Sequence, residues 1–216
     1  MKSKFLLPSI IICAAVLVGV AASNITAEKN LRTANNSKQE EKLCCAGLKI
    51  DPGMVSDNSI YQLESKWKNT SGQMVTLKSL MGKKEIVAMI YTNCSYACPL
   101  ILNDLKKIES QIKRDDVNYV LISIDPKRDT PAALKSFADR NNLDLNKWHL
   151  LTGNENGINE LAAVLGFKYK KDQDGNFSHS NIISVLNEKG EVTYQHFGLN
   201  QDVKDILDEI NHMEVK

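Results

Sequence analysis

Residues 86–99 of this chain read IVAMIYTNCSYACP. The apolar run Ile86–Tyr91 predicts a buried β-strand, because a short continuous apolar run bounded by turn residues is typical of such strands. After the cysteines, apolar residues recur at the spacing of a helix face; they are Leu100, Ile101, Leu105, Ile108 and Ile112, and the helix should end near Lys113 and Arg114. The stretch is therefore predicted to pass from a strand through a turn into a helix, with Cys94 and Cys98 at the helix N-terminus.

The position of Cys94 and Cys98 predicts reactive thiols. Unpaired backbone N–H groups and the helix dipole stabilise thiolates at a helix N-terminus. In a helical turn, four residues of separation bring both sulfurs to one face, within reach of a disulfide or of a shared metal ion. Two thiolates suit Cu(I), and an added imidazole would also accommodate Cu(II). Two inert buried cysteines or a structural disulfide remain alternatives.

The rest of the chain alternates strands and helices in an order that favours a thioredoxin-like α/β fold, with a central mixed sheet flanked by helices and an N-terminal hairpin. The hairpin is predicted from Ile60–Leu63 and Met74–Leu77, joined around Asn69–Gly72. The later strands are predicted at Val117–Ile124, Trp148–Leu151, Ile182–Leu186 and Val192–Phe197, the last two joined by Asn187–Gly190. The later helices are predicted from Thr130-Pro131 through Phe137, from Ile158 to about Leu165, and over the segment with Val203, Ile206, Leu207 and Ile210 on one face.

Four histidines could supply an imidazole to the cysteine pair. His179 directly precedes the strand that begins near Ile182, and in a thioredoxin-like fold the start of that strand lies against the cysteine turn. His149, His196 and His212 have no comparable position, so surface or half-buried structural roles are expected for them. His179 is therefore the best-placed histidine for a site shared with Cys94 and Cys98.

Composition limits the classes of function. With 216 residues, 43% hydrophobic and 25% charged residues and a formal net charge of +1, the chain is predicted to be an ordinary globular protein with one compact domain. Lysines and arginines do not cluster with aromatic residues, so nucleic acid is not an expected partner.

The N-terminus indicates export to the cell envelope. Lys2 and Lys4 precede an apolar run over residues 5–22, which predicts a signal peptide or an N-terminal membrane anchor at 1–22. If the run is not cleaved, residues 5–22 hold the chain in the membrane, with the domain on the periplasmic or outer face. Cys13 lacks the small preceding residue of a lipid-attachment cysteine. Residues 23–58 are predicted to form a flexible tether that contains the adjacent pair Cys44-Cys45, and 59–216 the folded domain.

Three sequence elements resemble the Sco/SenC family. They are Thr-x-Cys-x-x-x-Cys-Pro at Thr92–Pro99, the segment SIDPKRDTP at Ser123–Pro131, and the pair His179-Ser180, within a resemblance that covers roughly Ser59–Ile210. The resemblance implies a thioredoxin-like fold and a copper metallochaperone with one copper, as Cu(I) or Cu(II), held by the two cysteines and the histidine. It also implies delivery to the CuA site of cytochrome c oxidase subunit II, with a thiol reductant or a copper donor protein as a further partner.

Two residues in these elements need comment. Asp125 matches an acidic family position near the site, in either a strand-terminating role or one supporting the ligands. Ser95 departs from the family, which often has proline after the first cysteine, and this should alter the rigidity of the turn more than its ligands.

An alternative function uses the same cysteines without a metal. Cys94 and Cys98 could act as the redox-active pair of a thiol-disulfide oxidoreductase on an exported partner. Thioredoxins place a cis-proline at the start of the strand near Ile182, whereas the prolines here are Pro8, Pro52, Pro99, Pro126 and Pro131. A metal carrier is therefore favoured over a general reductase, and a peroxidase is a weaker third hypothesis.

Overall fold

A computed structural model describes residues 56–213 of the chain. The predicted signal or anchor, most of the predicted tether and three cysteines, Cys13, Cys44 and Cys45, lie outside the described residues. Among residues 56–213, no helix has the length and apolar character needed to cross a membrane.

The described part is a mixed α/β fold of nine strands and four helices. The strands are β1 (Lys66–Lys68), β2 (Met74–Thr76), β3 (Lys84–Ile90), β4 (Val117–Ser123), β5 (Trp148–Gly153), β6 (Tyr169–Lys171), β7 (Phe177–His179), β8 (Ile182–Leu186) and β9 (Val192–Phe197). The helices are α1 (Ala97–Gln111), α2 (Pro131–Arg140), α3 (Glu155–Val164) and α4 (Lys204–His212).

Seven strands form the central sheet in the order β2-β1-β5-β4-β3-β8-β9. Strands β3, β4 and β5 are parallel, while β8 runs antiparallel to β3. The carboxyl ends of β3 and β4 and the start of β8 consequently meet at one edge of the sheet. Strands β6 and β7 form a separate antiparallel pair near the end of the chain.

The sheet centre forms the core. Every residue of β3 and β4 is buried, as expected for parallel strands with both faces covered. Tyr119 of β4 stacks on Trp148 of β5 with a ring-centroid distance of 4.6 Å, and the Trp148 indole N–H donates to Glu109 of α1. These contacts join the sheet to α1, the helix that follows the cysteine turn.

The mixed α/β fold class is confirmed. The second strand of the N-terminal hairpin, β2, lies within the predicted Met74–Leu77, but the first strand is β1 and not Ile60–Leu63. Strands β1 and β2 form it, whereas Ile60–Gln62 is a single 3₁₀ turn capped by the Ser59 hydroxyl. Ile60 and Tyr61 are adjacent and both buried, which the alternation of a half-buried strand would not allow. The turn within the hairpin is where predicted, since the Gly72 N–H donates to the Asn69 carbonyl.

Other differences concern the ends of elements and one hairpin that was not predicted. Strands β8 and β9 and the turn between them are confirmed, but α2 continues beyond Phe137 to Arg140 and α3 begins at Glu155, after the Asn154 cap. Strands β6 and β7 have three residues each, too few for a clear alternation of polar and apolar positions.

We predict that Gly190→Ala destabilises the protein more than Gly72→Ala. Both glycines have positive φ, +76° and +78°, so either alanine should cost about 1–2 kcal/mol of backbone strain. A Cβ at position 190 would also lie 2.6 Å from the Tyr61 ring, adding roughly 1–3 kcal/mol, whereas nothing lies within 4 Å of one at position 72. Urea unfolding of the full chain measures both; equal losses of unfolding free energy would contradict the packing of Tyr61 on this turn.

Candidate metal centre

The cysteine turn connects the buried end of β3 to the start of α1. The Cys94 N–H donates to the Tyr91 carbonyl at 3.2 Å, which closes the turn directly after the strand. Cys94 is half-buried, and Cys98, the second residue of α1, is buried. Both are free thiols. The predicted passage from strand through turn to helix is confirmed, and it brings Cys98 beneath Cys94.

Backbone N–H groups point at both sulfurs. The Cys98 N–H donates to the Cys94 Sγ at 3.3 Å, and the Tyr91 N–H donates to the Cys98 Sγ at 3.5 Å. The first of these is an unpaired N–H of the first turn of α1, whose partial positive charge favours an anion. The Cys94 sulfur therefore lies in the position expected for a stabilised thiolate.

His179, the last residue of β7, presents one ring nitrogen to the cysteines. Its Nδ1 lies 2.8 Å from the Ser180 carbonyl oxygen, and because that oxygen can only accept, Nδ1 carries the proton. In the neutral ring, Nε2 then has a free lone pair, and it lies 3.8 Å from the Cys98 Sγ. A histidine oriented in this way through its second nitrogen is the usual arrangement for metal ligation.

The three predicted ligands come together. Cys94 Sγ, Cys98 Sγ and an imidazole nitrogen of His179 all lie within 4.8 Å of one another. Within residues 56–213 this is the only group of three or more His, Cys, Asp or Glu side chains close enough to hold one metal ion. His149, His196 and His212 lie outside it.

Aromatic packing fixes His179 over the turn. Tyr91 contacts the His179 ring edge-on, with centroids 5.9 Å apart, and Phe167 stacks on the same ring at 5.8 Å. The Phe177 N–H also donates to the Tyr91 hydroxyl at 3.4 Å. Tyr91, at the end of β3, thus connects the cysteine turn to the β6–β7 hairpin that carries the histidine.

Asp125 links the loop after β4 to the β6–β7 hairpin. Its carboxylate is 1% exposed, accepts a hydrogen bond from the Arg128 guanidinium and lies 3.7 Å from the Lys171 ammonium. Arg128 also donates to the Gly175 carbonyl in the β6–β7 turn. Asp125 is not part of the three-ligand group, so its observed role is to tie the loop after β4 to the histidine hairpin.

Asp129 holds the cysteine turn from the same loop. Its fully buried carboxylate accepts from the Thr92 N–H at 3.0 Å, from the Thr92 hydroxyl at 2.5 Å and from the Ser123 hydroxyl at 2.6 Å. Asp129 belongs to the segment SIDPKRDTP, but no role was predicted for it from the sequence. The available signal was a second aspartate, four residues after Asp125, in the loop that follows a buried strand.

The two thiols have opposite pKa shifts. Burial raises the pKa of Cys94, but hydrogen bonds donated by the backbone N–H groups of Cys98 and Tyr96 outweigh it and lower the value to about 6. At Cys98 burial dominates, and the nearby Cys94 adds to it, so its pKa is raised well above that of an ordinary thiol. The metal-free site therefore holds one thiolate and one thiol at neutral pH.

The group opens to solvent on the side of the turn. A cavity of about 440 Å³ is lined by Cys94, His179 and residues that flank them. Tyr96 stands at its rim with 73% of its surface exposed. A second molecule can thus approach Cys94 and His179, whereas Cys98 is reached only past them.

Comparison with known proteins agrees with this geometry. The SCO1/SenC family model matches residues 57–214. The SCO1 protein homolog of Bacillus subtilis is 28% identical over 163 residues, which cover 72% of this chain and 84% of that protein.

Two solved structures share the fold. Arabidopsis thaliana ScoI with copper bound has a TM-score of 0.59 at 28% identity, over 68% of this chain and 92% of that chain. BsSco, a member of the Sco family of cytochrome c oxidase assembly proteins in which a disulfide switch was identified, has a TM-score of 0.60 at 28% identity, over 68% of this chain and 88% of that chain.

We predict that Cys94 is alkylated rapidly at neutral pH. Since its pKa is lowered to about 6, its rate with iodoacetamide should rise through pH 6 and level off near pH 7, where roughly nine-tenths of it is thiolate. An ordinary cysteine is a few per cent thiolate at that pH. Site-resolved mass spectrometry of the full metal-free chain separates the cysteines.

Cys98 provides the internal control for this measurement. With its raised pKa, it should remain almost unmodified over the same pH range, in the wild type and in Cys94→Ser. A Cys94 midpoint near pH 8.5, or a Cys98 rate equal to that of Cys94, would contradict the assignment of the thiolate.

Proposed function

Because this chain belongs to the SCO1/SenC family, we propose that it is a copper metallochaperone that binds one copper ion through Cys94, Cys98 and His179. The observation that carries the proposal is the convergence of two sulfurs and one imidazole nitrogen within 4.8 Å. The copper bound to Arabidopsis thaliana ScoI supports copper as the metal.

The ligand chemistry fits copper in both oxidation states. Thiolates are soft ligands that select Cu(I), and the imidazole adds the nitrogen that Cu(II) prefers. Copper binding would require the Cys98 proton to leave, because the thiolate is the metal ligand. The Cys94 thiolate and the Nε2 lone pair need no such step, so they would take the metal first.

Transfer would proceed by exchange of ligands with an acceptor. Cys94 and His179 border the open cavity, so two thiolates of an acceptor can replace them one at a time while Cys98 still holds the metal. No electron is transferred if the copper enters and leaves as Cu(I). The acceptor proposed is the CuA site of cytochrome c oxidase subunit II, supported by the description of BsSco as a cytochrome c oxidase assembly protein.

The proposal includes a place in the cell envelope. Residues 1–22 would act as a signal peptide or as a membrane anchor, and 23–58 as a tether from which the domain 59–216 reaches its acceptor. A thiol reductant and a copper donor protein would complete the cycle, the first keeping the cysteines reduced and the second loading them.

The lowered pKa of Cys94 supports one alternative, a thiol-disulfide oxidoreductase. A thiolate with a pKa of about 6 beside a second thiol can attack a partner's disulfide and be released by Cys98. Such a reaction would oxidise Cys94 and Cys98 to a disulfide and reduce the partner's two cysteines. It would not require His179, which distinguishes the two functions.

We predict that the reduced full chain binds one Cu(I) and that the histidine matters for affinity. Cys94→Ser should abolish tight binding, and His179→Ala should lower the affinity by more than about 100-fold, since loss of an outer partner alone costs 10–100-fold. His212→Ala removes an exposed histidine outside the group and should bind as the wild type. Competition with a Cu(I) chelator measures the affinities.

Exchange with a disulfide substrate, measured on the same variants, separates the two functions. If His179→Ala binds copper as tightly as the wild type, the three-ligand site is wrong. If the wild type also fails to bind copper but reduces the disulfide, the oxidoreductase function replaces the chaperone.

We further predict that oxidation of Cys94 and Cys98 to a disulfide removes copper binding, because neither sulfur is then a thiolate. The full chain, oxidised with a dithiol oxidant and then passed over a desalting column, should take up no Cu(I) until a reductant is added. Site-resolved mass spectrometry verifies the pair formed. Undiminished uptake by the disulfide form would argue against both cysteines as ligands.

A further inference from the structure

We propose that Asp129 is the positioning residue of the cysteine pair: its buried carboxylate holds Thr92 so that Cys94 stays within bonding reach of Cys98. The part of this inference that concerns copper rests on the proposed function. The part that concerns the two sulfurs does not, because it is already expressed in the metal-free thiols.

The Asp129 carboxylate binds Thr92 and Ser123, and we call these three residues the Asp129 clamp. One carboxylate oxygen accepts from both the Thr92 N–H and the Ser123 hydroxyl, at 3.0 and 2.6 Å, and the other accepts from the Thr92 hydroxyl at 2.5 Å. Thr92 is thus held by its backbone and its side chain together. Ser123 is the last residue of β4, so the clamp fixes the start of the cysteine turn to the central sheet.

Asp129 is not one of the grouped ligand residues, and it is hydrogen-bonded to Thr92. Its negative charge also raises the pKa of Cys98, so the Thr92 variants, which keep the carboxylate, isolate the effect that passes through Thr92. Asp129 has no exposed surface, and it is absent from the one group of potential metal ligands in residues 56–213.

The neighbour of Asp129 in the loop, Asp125, is paired with Arg128 and Lys171, whereas no lysine or arginine of the described residues pairs with Asp129. Its oxygens are instead satisfied by hydrogen bonds from Thr92 and Ser123. Loss of the carboxylate would leave these donors without their acceptor.

The clamp lies next to Cys94, which has fewer other restraints on its position than Cys98. Thr92 precedes Cys94 by two residues, and the Cys94 sulfur is held beyond it by the Cys98 N–H at 3.3 Å. Cys98 is anchored independently, by α1 and by the Tyr91 N–H. Loss of the clamp would therefore free Cys94 more than Cys98 and lower the effective concentration of one thiol at the other.

A lower effective concentration has two measurable consequences. In equilibrium with glutathione, the Cys94–Cys98 disulfide competes with mixed disulfides of each cysteine with glutathione. It is favoured by the high effective concentration of one thiol at the other, so a lower effective concentration makes it form less readily. Copper held by both sulfurs dissociates more readily for the same reason. General destabilisation of the fold would shift the unfolding midpoint and leave both equilibria of the folded protein unchanged.

The experiment compares four variants of the full chain: Asp129→Asn, Thr92→Val, Thr92→Ser and Asp104→Asn. Asp129→Asn cannot satisfy all three donors, so we expect a tenfold or greater fall in the glutathione equilibrium constant for the disulfide and in Cu(I) affinity. Thr92→Val keeps the backbone N–H bond and should show a smaller fall in both. Thr92→Ser keeps the hydroxyl and should match the wild type.

Asp104→Asn is the matched control. Asp104 is a carboxylate of α1 that is 1% exposed. It accepts from the Asn200 N–H and from the Lys107 ammonium, so its loss should also cost stability, but neither contact is with the cysteine turn. We expect wild-type values of both equilibrium constants for this variant. The double variant Thr92→Val/Asp129→Asn should behave as Asp129→Asn alone, since both changes remove one interaction.

Three results would overturn the proposal: wild-type equilibria in Thr92→Val, the same fall in Asp104→Asn as in Asp129→Asn, or a Thr92→Ser variant as impaired as Thr92→Val. If Asp129→Asn does not fold, the contrast between Thr92→Val and Thr92→Ser decides. A wild type that binds no copper would defeat the proposed function alone, because the glutathione equilibrium still tests the clamp.

Discussion

The parallel pairing of β3 with β4 is the constraint on which the site depends. Its register ends with Ile90 opposite Ser123, so both strands finish at the same level and release their loops side by side. The loop after β3 carries the cysteines and the loop after β4 carries Asp125 and Asp129. Since β8 runs antiparallel to β3, the segment that precedes it, with His179, returns to the same edge. The central sheet therefore brings residues that are far apart in the sequence to one edge, where side-chain contacts then fix them.

Two carboxylates of the loop after β4 stabilise different segments of the site. Asp125 binds Arg128 and Lys171 and secures the hairpin that carries His179, while Asp129 binds Thr92 and secures the cysteine turn. Burying a carboxylate costs free energy unless hydrogen bonds or ion pairs satisfy its oxygens. Here the two carboxylates are satisfied by donors from different segments, the histidine hairpin and the cysteine turn. The same loop therefore holds both halves of the ligand set, and a shift of the loop would alter both together.

The sequence predicted the elements with strong local patterns and missed those defined by tertiary contacts. Stretches of five or more mainly apolar residues sufficed for β3, β4 and β8, and helical spacing sufficed for α1. The three-residue strands β6 and β7 have no such pattern, and their contacts with Tyr91, Asp125 and Arg128 lie outside the hairpin itself. For the site, residue type and spacing were enough to select the two cysteines and the histidine, whereas the partners of Asp129 became visible only once β4 was paired with β3.

The two cysteines differ in pKa and in accessibility, and both differences follow from the same geometry. Cys94 meets the N–H groups at the start of α1 and borders the open cavity, so it is the more acidic thiol and the one a partner reaches. Cys98 is enclosed beneath it, and burial keeps its proton on until a cation displaces it. In the proposed copper site, a metal ion would therefore enter past Cys94 and His179 and leave by the same side. Binding at Cys98 would be coupled to release of a proton, so a rise in pH would favour the loaded state and a fall in pH would favour release.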